Sequence, residues 1–389
     1  MLMNRFRYVV WLFLLVMAGG SDAQRVPGRG AELALDRFIQ EQMSEAYVPG
    51  LAAAITRGGE LVWAKGYGWA NPVRRSRVSI DTPFMLASVS KLVTGTAVMQ
   101  LVEQGALELD VDINRYLPFP VRNPHADTPP ITVRSLLAHV SGLRDSEVLG
   151  RLYVQGDSPV SLERLLRGYL VPGGEYYDPS HYAVNGAEQE WRYANIGYAL
   201  LGYLVERAGG REFPVQCQER IFAPLQMNRS HWFLDEHDRA TLAMPSFPVI
   251  RSGGAVAYLP FGHYGYPDYP DGQLRASVSE LARFMAALAQ GGQWGGSRIL
   301  EEETVQRMRA PSYPMLNPGM GLAFFRVTEA GRDWVMHTGG DRGVNTMFYL
   351  DPAEGLGVII LANSGARYPG SYRHLKAIFL RLVAYADAR

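Results

Sequence analysis

Apolar spacing along the chain predicts strands near both ends and helices between them. In residues 31–44, Leu35, Phe38, Ile39 and Met43 share one helical face. Residues 51–56 and 61–67 predict two strands, joined by the hairpin signal Arg57-Gly58-Gly59-Glu60. Residues 88–104 are periodic as a helix, and Gly105 supplies a C-terminal stop. Residues 132–139, 161–170, 196–208, 213–222 and 277–290 predict further helices, while 258–272 is a loop dense in Tyr, Pro and Gly. Strands return at 322–327 and 333–338, around Glu329-Ala330-Gly331-Arg332, and at 346–350 and 356–362, around Asp351-Pro352-Ala353-Glu354-Gly355. A last helix is predicted at 372–384. Consecutive hairpins imply an antiparallel sheet with the terminal helices covering a face. The expected class is α+β, with sheet-domain segments 24–80 and 240–389 and a mostly helical domain, 81–239, inserted between them.

Composition narrows the function. The 389 residues carry 38 basic and 38 acidic side chains, which argues against nucleic acid or an anionic membrane surface as the main partner. At the N-terminus, Arg5 and Arg7 precede an apolar run, and Ser21-Asp22-Ala23 places small residues where a signal peptidase reads. The uncharged stretch is shorter than the ~20 residues a spanning helix needs, so residues 1–23 are expected to be a cleaved signal and the mature protein periplasmic or secreted. Cys217 is the single cysteine, which excludes an internal disulfide, and its apolar surroundings suggest a packed thiol. The histidines lack metal-ligand spacing, so neither metal nor cofactor is expected.

Three short motifs carry chemistry. Ser88-Val89-Ser90-Lys91 opens the predicted apolar helix, and residues at i and i+3 share a face, so Ser88 and Lys91 can meet. Lysine occurs only at positions 65, 91 and 376, and Lys91 sits in a segment with few charges. Burying it requires a partner or a depressed pKa, and bringing that pKa from about 10.4 to about 7 would cost ~5 kcal/mol. Tyr193-Ala194-Asn195 lies just before a helix, and Met336-His337-Thr338-Gly339-Gly340 ends a strand where glycines allow close approach.

In this order the motifs resemble those of the penicillin-recognising serine hydrolases: class C β-lactamases, DD-peptidases and β-lactamase-like esterases. The stretches 135–143, 221–227 and 269–275, with Asp351-Pro352 and Asn363, look like landmarks of the same group. The resemblance implies a β-lactamase/transpeptidase-like fold with the active site between sheet and helical regions. It implies Ser88 as nucleophile, Lys91 as its partner, Tyr193 as general base and Asn195 as a substrate-binding group. It further implies an oxyanion hole from the N–H groups of Ser88 and Gly340, flanked by His337, Thr338 and Gly339. Which of Lys91 and Tyr193 takes the proton stays open, because coupled groups share their titration.

His337 stands where β-lactamases of the group usually carry lysine, and Asn185-Gly186 where Pro-Gly is common. An unperturbed histidine is about one-quarter protonated at pH 7, so the change weakens a carboxylate clamp. The expected activity is hydrolysis of a small ester, amide or peptide through an acyl-enzyme, esterase-like first. The alternatives are a D-alanyl-D-alanine carboxypeptidase, a class C-type β-lactamase, or a penicillin-binding sensor that never turns over. The aromatic loop Tyr258, Phe261, Tyr264, Tyr266 and Tyr269 reads either as a cleft rim or as packing.

Overall fold

The computed structural model describes residues 29–125, 128–365 and 371–389, so the expected signal at 1–23 lies outside the described residues. Helix α1 (Arg29–Glu45) leads into strands β1 (Gly50–Arg57), β2 (Glu60–Asn71) and the short β3 (Ser76–Arg77). The central helices are α2 (Ser90–Glu103), α3 (Leu162–Leu170), α4 (Asn195–Gly209) and α5 (Val278–Ala289). Strands β4 (Phe325–Glu329), β5 (Arg332–Asp341), β6 (Val344–Asp351) and β7 (Leu356–Ala362) follow, and α6 (Ser371–Asp387) closes the chain.

Both ends of the chain build one seven-stranded sheet, ordered β4-β5-β6-β7-β1-β2-β3, with β7 paired antiparallel to β1. Alternation assigns the strand residues to two cores. Leu51, Ala53, Ile55, Met347, Tyr349, Val358 and Ile360 pack with α1 and α6. Ala52, Ala54, Phe348, Leu350, Ile359 and Leu361 join the larger core that contains α2, α4 and α5. The sheet is therefore covered on both faces, which explains why β1 and β7 are apolar runs rather than alternating ones. Among the described residues no helix is long and apolar enough to cross a membrane.

Helix α2 is the hub. Its residues from Ser90 to Leu101 are all buried, so it is enclosed all round instead of one-faced. Gly95 lets it approach another segment closely, since a Cβ there would come within 2.6 Å of Ala323 Cβ.

Several predicted elements are shorter or different. The predicted strand at 322–327 begins only at Phe325, and the predicted helix at 213–222 turns from α-helix to a wider π-type turn at Gln218. The loop at 258–272 takes in the end of a hairpin, Ser246–Ile250 with Val256–Pro260, that the sequence pattern did not reveal. Its strands alternate weakly, because several apolar residues on them are exposed. Tyr264, Tyr266 and Tyr269 are buried, which makes them packing; Phe261 is partly buried against Tyr264 and Tyr266. Cys217 is fully buried, and burial pushes its thiol pKa up, as expected of a packed thiol.

Candidate active site

The nucleophile candidate sits on a turn clamped from two sides. Phe84 and Met85 pair with Ala276 and Arg275, and Leu86 N–H donates to Leu274 O at 2.8 Å. Thr346 Oγ1, from β6, donates to Leu86 O at 2.6 Å. Ala87 then takes φ 47°, a left-handed conformation that costs a non-glycine residue energy and that the clamps hold in place. Ser88 follows in a single 3-10 turn, Ala87–Val89, rather than in the α-helix itself. The close approach of β5 requires glycine: a Cβ on Gly339 would lie 2.4 Å from Leu86 O and 3.0 Å from Ser88 N. Thus Gly339 is packed against the Ser88 backbone, with Gly340 the next residue along the same strand.

Lys91 has no exposed surface. Its Nζ donates to Ser88 Oγ at 3.3 Å, to Asn195 Oδ1 at 2.7 Å and to Asp271 O at 2.8 Å. Three donors meet three acceptors, so the buried amine is satisfied. Of the two ways to bury this lysine, the structure uses partners. Burial pulls its pKa down, but Tyr193, Asp271 and Asp145 outweigh that, and the net shift is upward. Asn195, expected to face substrate, has its carbonyl oxygen committed to Lys91.

Tyr193 lies with its ring centroid 5.0 Å from Lys91 Nζ. Its hydroxyl is buried and forms no hydrogen bond of good geometry among the described residues, although it is close enough to Lys91 and Ser88 to feel both. Burial raises its pKa, against the lowering effect of Lys91. The phenolate that a cationic Lys91 favours is therefore opposed by desolvation.

Two positioning groups escaped the sequence reading. Asp145 accepts the N–H groups of Asn195 and Ile196 at 2.8 and 3.0 Å, so it caps α4 from a distant loop. His139 stacks on Tyr193 with centroids 4.2 Å apart and accepts Ala194 N–H at Nδ1. Its own carbonyl accepts Arg192 N–H, so it holds the chain on both sides of Tyr193. His139 was visible only as part of a family landmark, and nothing local marks Asp145.

His337 is 2 % exposed. Its Nδ1 lies 2.7 Å from Thr338 O. A carbonyl only accepts, so Nδ1 carries the hydrogen and Nε2, buried and without a hydrogen-bond partner among the described residues, presents a lone pair. Burial and Lys91 hold its pKa down at about 3. The fraction of imidazolium expected at pH 7 is thus absent, and the group offers an acceptor where a lysine would offer a charged donor.

A sequence profile described as Beta-lactamase matches residues 35–382. The chain belongs to the β-lactamase family. Penicillin-binding protein 4* of Bacillus subtilis is similar at 27 % identity over 329 residues, covering 79 % of this chain and 66 % of that protein. Among solved structures, an octameric penicillin-binding protein homologue from Pyrococcus abyssi superposes with TM-score 0.71 at 27 % identity, covering 90 % of this chain and 77 % of that one. The hydrolase EstCE1 shares the fold with TM-score 0.67 at 21 % identity, covering 91 % of this chain and 99 % of that one. These solved structures share the antiparallel sheet with flanking helices found here.

Proposed function

We propose that the protein is an exported serine hydrolase that forms an acyl-enzyme on Ser88 and prefers small, uncharged esters. The observation that carries this reading is Lys91, buried and bridging Ser88 Oγ and Asn195 Oδ1 beneath the Tyr193 ring. Ser88 Oγ bonds to the substrate carbonyl carbon as its proton passes to the Lys91–Tyr193 pair. The oxyanion is held by the N–H groups of Ser88 and Gly340. The pair returns the proton to the leaving alkoxide, which departs as alcohol. A water then attacks the acyl carbon, giving its proton to the pair, and the pair passes a proton to Ser88 Oγ as its bond to the acyl carbon breaks and the acid leaves.

The ester preference rests on His337 and Lys91. All three donors of Lys91 are engaged, and His337 Nε2 is an acceptor. Neither group then offers a free donor to a carboxylate of the kind β-lactams and peptides carry. Turnover of p-nitrophenyl butyrate, a chromogenic cephalosporin and a D-alanyl-D-alanine peptide, each followed with intact-mass spectrometry, tests the proposal. The expected order of kcat/KM puts the ester first. Peptide turnover above ester would favour the carboxypeptidase reading, and an adduct that never clears would favour a sensor.

A further inference from the structure

We propose that Asp271 is a positioning residue that holds the charge on Lys91 and so makes Tyr193, not Lys91, the base for Ser88. This inference rests on the acyl-enzyme reading above.

The hydrogen bonds of Lys91 leave the question open. Asn195 Oδ1 and Asp271 O are pure acceptors and take two N–H bonds from either form of the amine. Ser88 Oγ can accept from an ammonium or donate to a neutral amine, and the second arrangement is that of a lysine base. The carboxylate breaks the tie. Asp271 Oδ2 stands 3.6 Å from Lys91 Nζ, with both side chains buried. When the Lys91–Tyr193 pair has lost one proton, that proton remains on either Lys91 or Tyr193. A carboxylate this close to Nζ favours the ammonium with a phenolate over the neutral amine with a phenol.

The surrounding groups support the assignment. Lys91 is also faced by Asp145, whose oxygens are engaged by backbone N–H groups, by the rings of Tyr193 and Tyr198, and by His139 and His337. Burial and the Lys91 charge hold both histidines well down, so they stay neutral. Asp271 itself is faced by Asp268, Asp145, Asp341, Tyr153 and Tyr266. Asp268 and Asp271 bracket one 3-10 turn, in which side chains at i and i+3 eclipse. Burial raises both carboxyls, Asp268 well above its ordinary value and Asp271 to about 7, where Lys91 opposes the rise. Asp271, within ion-pair distance of Lys91, is thus the member of the pair whose carboxylate form the cation favours most.

The test is the pH profile of kcat/KM on an ester the wild-type enzyme turns over, measured above pH 7 and corrected for spontaneous hydrolysis. The rising limb reports proton loss from the Lys91–Tyr193 pair. Removing the negative charge in Asp271→Asn makes that loss easier, so the limb should move about 1–3 units to lower pH. Tyr193→Phe should cost about 10²–10⁴-fold in the wild-type background. It should cost at least tenfold less beside Asp271→Asn, where Lys91 takes over. Asp268→Asn leaves the carboxylate beside Lys91 Nζ in place and should move the limb distinctly less than Asp271→Asn does. A limb unmoved by Asp271→Asn, or moved equally by Asp268→Asn, overturns the proposal, as does an undiminished Tyr193→Phe effect in the double variant. Misfolding of Asp271→Asn, checked by circular dichroism, shifts the decision to Asp271→Glu, which should retain the wild-type limb if charge is what matters. If the wild type turns over no ester or amide, the acyl-enzyme reading itself has failed.

Discussion

At the residue scale, chemistry is concentrated in a few side chains whose surroundings fix their state. Ser88→Ala should abolish turnover and acyl-enzyme formation while the protein keeps its fold. Ser88 does not cap the following helix, so the loss is confined to its contacts with Lys91 and Tyr193. Intact-mass spectrometry after incubation with ester checks it, and an adduct on the variant would move the nucleophile elsewhere. His337 supplies a second prediction. Its pKa is held at about 3 by burial and Lys91, so the neutral acceptor persists from pH 5 to 8. The ester-to-cephalosporin ratio of kcat/KM should show no step near pH 6.5, the ordinary histidine value. His337→Lys should tilt that ratio toward the cephalosporin by roughly tenfold, the difference between a neutral and a charge-assisted hydrogen bond. Kinetics of both proteins at pH 5.5 and 8 decide it, and a wild-type step near pH 6.5 would contradict the buried, neutral imidazole.

At the element scale, β5 and the Ser88 turn must touch through backbone. Gly339→Ala would push a methyl group against Leu86 O, Thr346 Oγ1 and Ser88 N. The neighbouring atoms are mostly main chain and cannot rotate away. We expect kcat/KM to fall at least 10²-fold with little change in secondary structure, because a displacement of about 1 Å at the nucleophile has that effect. Activity beside a wild-type circular dichroism spectrum measures it; full activity would mean that the turn and strand have slack. The segment carrying Tyr193 depends similarly on Asp145, whose two bonds to α4 no helix-propensity argument would suggest.

At the scale of the whole molecule, one continuous core joins α2 and α4 to α5 and the inner face of the sheet. Leu92, fully buried in that core, lies four residues from Ser88. Leu92→Ala should destabilise the protein by about 2–5 kcal/mol through lost burial and the cavity left behind. Because the core is shared, activity and tryptophan fluorescence should be lost together in urea. Activity lost at distinctly lower urea would show the helical segments unfolding apart from the sheet.

The local pattern determined much of this protein. Strand hairpins, the buried helix after Ser88 and the i, i+3 spacing of Ser88 and Lys91 are short-range properties, and a period of 2 or 3.6 residues reveals them directly. The motif order likewise carried the family. Tertiary structure decided what depends on contacts between distant segments. Ala87 adopts a strained turn only because Leu274 and Thr346 clamp Leu86. The Lys91 pKa is raised rather than depressed because Tyr193, Asp271 and Asp145, all distant in sequence, surround the buried amine. His337 is an acceptor because burial removes its proton and the Thr338 carbonyl takes its remaining N–H. Protonation state is set by desolvation and neighbouring charge, and a sequence shows neither until the chain has folded.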